Sequence, residues 1–258
     1  MRLWIVLMLC AVAASAPSES ENSLLNFPIN EVLKQEDHSA LINTVIDHLF
    51  TYLRYIIKNG SHVFGIRPFD PLIIDTYNFY LPAILVNLDL QIKNAFAIGL
   101  GEFVVNKSVA DLSDLSVDLE ITIPRIFIYA DLYDLVGDLY SAIPLYGKGT
   151  ARFDLQNFVV RGKIFLKQSD DGRSIIFDRI ERPSFVIPHF KSHLTGVIGG
   201  GEIDNIVNAV TEEVIIGYVN RFQAAIARSA SESLISFSNP VLNQLDTWRF
   251  IAPYLPSV

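Results

Sequence analysis

Several groupings of side chains in this chain are of types that do chemistry. His189 and His193 stand four apart, a separation that can bring two imidazoles together on zinc. Pro188 precedes them and no glutamate follows His189, so the zinc-protease pattern is absent and the pair reads as two surface imidazoles. Asp111, Asp114, Asp118 and Glu120 could supply carboxylates for acid–base work or calcium. Alternation instead puts Asp118 and Glu120 on the solvated side of a strand. Asp131, Asp134 and Asp138 lie in an apolar stretch but lack calcium-loop spacing. The run from Gly196 to Glu202 precedes a helix, as a phosphate loop would. It lacks the Gly-Lys-Ser/Thr ending and places Glu202 and Asp204 where phosphate would bind, so it reads as a flexible turn. No Gly-x-Ser-x-Gly nucleophile elbow occurs. Tyr129, Tyr133, Tyr140 and Tyr146 could orient an apolar ligand through their hydroxyls, or be half-buried aromatics. The expectation is a protein that is not an enzyme and carries no cofactor and no metal.

Composition points the same way. Met1 to Ala16 has the form of a secretory signal: Arg2, an apolar run from Leu3 to Val12, then small residues. Removing it takes away Arg2, leaving 19 basic against 28 acidic residues, a net charge of −9. It also takes away Cys10, the single cysteine, which excludes thiol catalysis and thiolate metal sites. Half of the residues are hydrophobic and the mean hydropathy is +0.33, more than a compact fold needs unless apolar surface lines an interior. The acidic balance excludes nucleic acid and disfavours anionic membrane surfaces as partners. Asn59-Gly60-Ser61 and Asn106-Lys107-Ser108 are glycosylation acceptor triplets.

The elements that would position these residues are legible as periods. From about Glu36 to Lys58, Leu41, Ile42, Val45, Ile46, Leu49, Phe50 and Leu53 form a helical stripe that Gly60 ends. The segment from Phe64 to Leu72 is turn-rich, with Pro68 and Pro71. From Ile84 to Ile92 and from Leu115 to Ile123 the period is two, as in half-buried strands, and Pro124 is expected to break or bulge the ladder. Ile126 to Val136 is apolar on both faces, so its period leaves helix and strand open. Gly147-Lys148-Gly149 reads as a turn. Phe158–Lys167 and Ser174–Ile180 flank Ser169-Asp170-Asp171-Gly172, a hairpin. After Gly199-Gly200-Gly201, a helix runs from Glu202 to about Leu234. Asn205, Glu212, Glu213, Asn220 and Arg221 make it too polar for a membrane span. Residues 236–258 form an apolar tail with Pro240, Pro253 and Pro256. The expected fold class is α+β, a strongly curved antiparallel sheet wrapped around one long C-terminal helix with a further N-terminal helix. The signal is expected at 1–16 and a single domain at 17–258, its core about 36–235.

The order of elements, the stretch from Gly65 to Leu72 and the stretch from Ile143 to Gly149 resemble the insect takeout and juvenile-hormone-binding family. The segment from Asp154 to Val160, the hairpin after it and the glycine cluster are similar to the group-seven mite allergens. Both groups are similar to the tubular lipid-binding proteins, and the likeness covers roughly residues 40–235. It implies an apolar tunnel that takes hormones or lipids. The hormone-binding branch usually has a cysteine pair near the mature N-terminus; this chain has none, which favours the allergen-like branch.

The function expected is that of a secreted carrier or sink for a small hydrophobic molecule or lipid. Candidate tunnel residues are Leu119, Ile121, Ile123, Phe127, Tyr129 and Phe153, with Val210, Val214, Tyr218 and Phe222 facing them from the long helix. The alternative is recognition of membrane or bacterial glycolipid, in the manner of the bactericidal lipid-binding proteins. It rests on a basic patch of Arg161, Lys163 and Lys167. The sequence leaves the oligomeric state open.

Overall fold

The computed structural model describes residues 38–62, 65–82, 86–111, 113–139, 143–197, 201–244 and 247–252. The expected signal at 1–16, Ile84, Tyr140, Gly199, Gly200, Pro253 and Pro256 lie outside them. Helix α1 (His38–Asn59) precedes strands β1 (Leu72–Pro82), β2 (Val86–Ile98), β3 (Val104–Asp111), β4 (Ser116–Leu139), β5 (Ile143–Gln168), β6 (Ile175–Val186) and β7 (His189–Leu194). Helix α2 (Glu202–Leu242) and the short α3 (Trp248–Ile251) follow. The α+β class, the antiparallel curved sheet and both helices are as the sequence predicts. Helix α2 continues past Leu234 into the expected tail and takes Pro240 into its last turn.

All strands pair antiparallel, in the order β1-β2-β4-β5-β6, with β3 also on β4 and β7 also on β5. The central pair is unusually long, 24 residues in β4 and 26 in β5, and each long strand serves two sets of partners. One half of the sheet contains β1, β2, the C-terminal half of β4, the N-terminal half of β5, and β7. The other contains β3, the N-terminal half of β4, the C-terminal half of β5, and β6.

One open local reading is settled and others change. Residues 126–136 are strand throughout, within β4. Pro124 breaks nothing: Ile123 pairs Phe158 and Arg125 pairs Gln156 in unbroken register. It is tolerated because β3 begins opposite Thr122 and β2 ends opposite Phe127, so neither pairs with the stretch between, where the missing N–H would lie. The register shift falls instead between Ala130 and Tyr133. Gly147-Lys148-Gly149 is not a turn but lies inside β5. A Cβ on Gly149 would stand 2.1 Å from the Thr195 carbonyl oxygen, and one on Gly147 2.8 Å from the Tyr133 hydroxyl. Glycine there permits close packing, not chain reversal. Strands β1, β3 and β7 have no counterpart among the predicted elements, whereas the hairpin turn at 169–174 stands where the sequence puts it.

Helix α1 ends at Gly60, whose φ of 76° forms a left-handed cap with its N–H on Ile56 O. It docks on the β2–β3 junction. Phe50 meets Phe103 edge-on at 6.2 Å, Arg54 lies over the same ring at 4.7 Å, and Lys58 pairs with Glu102 at 2.6 Å.

Candidate ligand-binding site

The sheet changes its apolar face between its halves. Directly paired residues share a face, so the register assigns each side. In the β7 half, Ala95, Ile128, Ala130, Ala151, Phe153 and Leu194 lie on one face. Ala95, Ala130 and Ala151, with Tyr133 and Val197, form the buried core there, and Phe153, Leu194 and Val207 of α2 pack on it. The opposite face of that half carries Arg125 paired with Asp154, and Lys148 paired with Asp134 at 2.7 Å. In the β6 half the polarity is inverted. Val117, Leu119, Ile121, Ile123, Phe158 and Ile164 share the face that bears Arg125 further along. The other face holds Glu120 bonded to Arg161 at 2.6 Å and Lys163 bonded to Asp114 at 2.8 Å.

The seam between halves is marked by Pro124 and by Asn157, a non-glycine residue at φ of 55°. Strands twist right-handedly, and along strands this long the twist accumulates. Opposite faces of the two halves can thereby turn toward one side, where one helix serves both.

That helix is α2, laid along the edge made by β7 and then β6. Edge strands present unpaired backbone groups, and α2 meets them with polar side chains. Leu194 N–H donates to Asn208 Oδ1 at 2.7 Å, and Asn208 Nδ2 donates to Leu194 O at 2.9 Å. Phe177 N–H and Asn239 repeat the exchange at 3.0 and 2.9 Å. Each amide does for the edge what a further strand would do. Gln223 Nε2 donates to Phe185 O, and Glu212 accepts from Ser192 N–H at 2.9 Å. Burial acts to raise the Glu212 carboxyl, but that N–H together with Lys191 outweighs it and leaves its pKa lowered. At the helix start Asp204 accepts from the Gly196 and Val197 N–H groups, so the turn is held by a carboxylate.

These anchoring residues were missed by the sequence reading. The signal available was a polar set at spacings of four and multiples of four, Asn208–Glu212 and Gln223–Asn239, within the long helix.

The predicted site residues separate. Leu119, Ile121 and Ile123 lie half-buried on the apolar face of the β6 half. Ser108 stands opposite Leu119 on that face, its hydroxyl buried without a hydrogen-bond partner among the described residues. Phe127 and Tyr129 continue the same nominal face into the other half, where it is the charged side. Phe127 lies between the Arg125 and Arg152 guanidiniums at 5.9 and 5.8 Å, and Tyr129 packs on Phe96 at 5.5 Å. Phe153 is on the opposite, core face, stacked on Phe190 at 5.8 Å. Val210, Tyr218 and Phe222 are exposed on α2, and the Val214 side chain lies outside the described residues.

The remaining candidates are placed as follows. Lys167 pairs with Asp178 at 3.4 Å, so Arg161, Lys163 and Lys167 are each neutralised by a carboxylate. His189 and His193 are both exposed on β7. Asn59 is exposed at the end of α1. Asn106 is exposed on β3 where the register shifts, its amide donating to Thr122 Oγ1 at 2.7 Å. Tyr133 is buried, with its hydroxyl donating to Thr195 O at 2.8 Å; burial, and secondarily Asp204, push its pKa up to about 12.

The same architecture occurs in a solved structure. The chain is similar to the crystal structure of Epiphyas postvittana Takeout 1, at a TM-score of 0.56 and 15% identity, over 82% of this chain and 96% of that one. Its overlap with lipopolysaccharide binding protein, at a TM-score of 0.36 and 13% identity over 66% of this chain and 35% of that one, is too loose to define a common fold. No curated protein sequence matches. Residues 5–252 match the profile of the haemolymph juvenile hormone binding proteins, and the chain belongs to that family.

Proposed function

We propose that this protein is a secreted, non-enzymatic carrier or sink for a small hydrophobic ligand, lipid, terpenoid or hormone-like. The ligand lies against the apolar face of the β6 half. The observation that carries this reading is the inverted polarity of the sheet. Leu119, Ile121 and Ile123 form a continuous apolar strip with Phe158, half-buried rather than sealed, in a chain of the juvenile-hormone-binding family. Membership of the juvenile-hormone-binding family supports a hydrophobic ligand. Burial supplies the affinity: at about 25 cal/mol per Å², some 300 Å² of apolar ligand surface contributes roughly 7 kcal/mol before ordering costs. The Ser108 hydroxyl supplies one polar group in an apolar wall, which suits a ligand with a single oxygenated end. The ion-paired state of Arg161, Lys163 and Lys167 gives the glycolipid alternative no support.

Native mass spectrometry of the secreted protein, followed by solvent extraction, tests the reading. A discrete added mass that extracts as one lipid class is expected. A bare protein that stays unliganded after exposure to a broad lipid mixture would overturn it.

A further inference from the structure

Helix α2 is apolar on two sides, and the sheet uses one. Its outer side carries Ile206, Val210, Tyr218 and Phe222, which are 67%, 53%, 59% and 42% exposed. They are spaced by multiples of four, so they belong to one of the ridges along which helices pack on each other. Beside them runs a second exposed row, also spaced by four: Glu213, Gly217 and Arg221. Among the described residues neither Glu213 nor Arg221 has an ion-pair partner. Eight residues of one helix, about 12 Å, separate them, so they cannot meet each other.

We propose that two copies of this chain pair through α2, antiparallel and crossing at Gly217. The row is self-complementary in charge about that point. Glu213 lies four residues before it and Arg221 four after, so a two-fold axis at Gly217 sets each Glu213 against the partner's Arg221, twice. Beyond its own turn of helix, no atom lies within 4 Å of where a Gly217 side chain would start, so the backbones can approach closely there. The same axis brings the two Tyr218 side chains level with each other and each Phe222 close to the level of the partner's Val210, which adds exposed apolar surface beside the charge pairs. This pairing leaves the Ile121 strip untouched and is independent of the proposed ligand.

Sedimentation of the full chain against concentration tests it. The wild type is expected to dimerise. Glu213→Arg and Arg221→Glu should each weaken the dimer at least about tenfold by setting like charges opposed, and the double swap should restore it. In a Cys10→Ser background, Gly217→Cys should cross-link as a disulfide dimer and Ser229→Cys should not. Ligand loading, read by native mass spectrometry, is expected to be unchanged in all of these variants, which separates failure here from failure of the carrier reading. A monomer at every concentration, or a double swap that restores nothing, would overturn the proposal. So would charge variants without effect while Tyr218→Glu releases the protein from phosphatidylcholine vesicles, since the ridge would then serve a lipid surface.

Discussion

At the scale of single residues, Asn208 shows how one side chain can hold two elements together. It is buried, and its amide serves the Leu194 N–H, the Leu194 carbonyl and the Ser192 hydroxyl at once. Asn208→Ala should therefore cost about 2–3 kcal/mol in chemical denaturation, because it strands buried backbone groups as well as removing bonds. Glu212 governs part of the acid limb. Its folded pKa lies below the free-chain value, so its contribution is present above that value and is lost as pH falls through the folded one. Glu212→Gln, which keeps an acceptor for Ser192 N–H, should make the stability loss below about pH 4 shallower. Tyr133 acts at the other end of the scale. Its pKa is raised to about 12 from 10.0, so stability is full below pH 10 and falls as pH rises toward 12. Tyr133→Phe should flatten that alkaline limb while costing about 1 kcal/mol at neutral pH for the bond to Thr195. None of the three roles is legible locally, since Asn208, Glu212 and Tyr133 each act on chain distant in sequence.

At the scale of elements, the helices and the alternating segment from Leu115 to Ile123 were legible because period alone specifies them. The side of α2 that meets the sheet was not. Ile206, Val210, Tyr218 and Phe222 keep as good a helical period as Val207, Ile215 and Ile226, and period cannot choose between two apolar sides. The choice is made by the open edge of β6 and β7, whose unpaired backbone groups select Asn208, Glu212, Gln223 and Asn239. Glycine misled in a related way: Gly147 and Gly149 look like a turn but accommodate Tyr133 and Thr195. Gly149→Ala should destabilise by about 2–3 kcal/mol, measured as a lower Tm. On the apolar strip, Ile121→Asp should reduce uptake of a fluorescent fatty acid by at least about tenfold, since a charge would be set in the ligand's path. Retained uptake would remove this strip from the site.

At the scale of the whole molecule, the question is which surfaces meet water, ligand or another chain. Glycosylation belongs here. Asn106 sits exposed on the edge strand β3, and its modification there would cover an open edge. Peptide N-glycosidase treatment of secreted protein should lower its mass, and Asn106→Gln should remove part of that shift. By itself the sequence determined the α+β class, the order of strands before helix, the hairpin at 169–174, and the resemblance to the family to which the chain belongs. These are carried by local period, by turn chemistry and by the order of weak motifs along the chain. Only the tertiary structure decided which face each strand residue serves. The pairing register runs from Leu119 to Tyr129 without a shift, yet the surroundings of that face invert at Pro124, from an apolar strip to the Arg125–Asp154 pair. Alternation records which residues share a side. What that side meets depends on the twist accumulated along two long strands and on the helix laid against their edge, and those are properties of the assembled sheet.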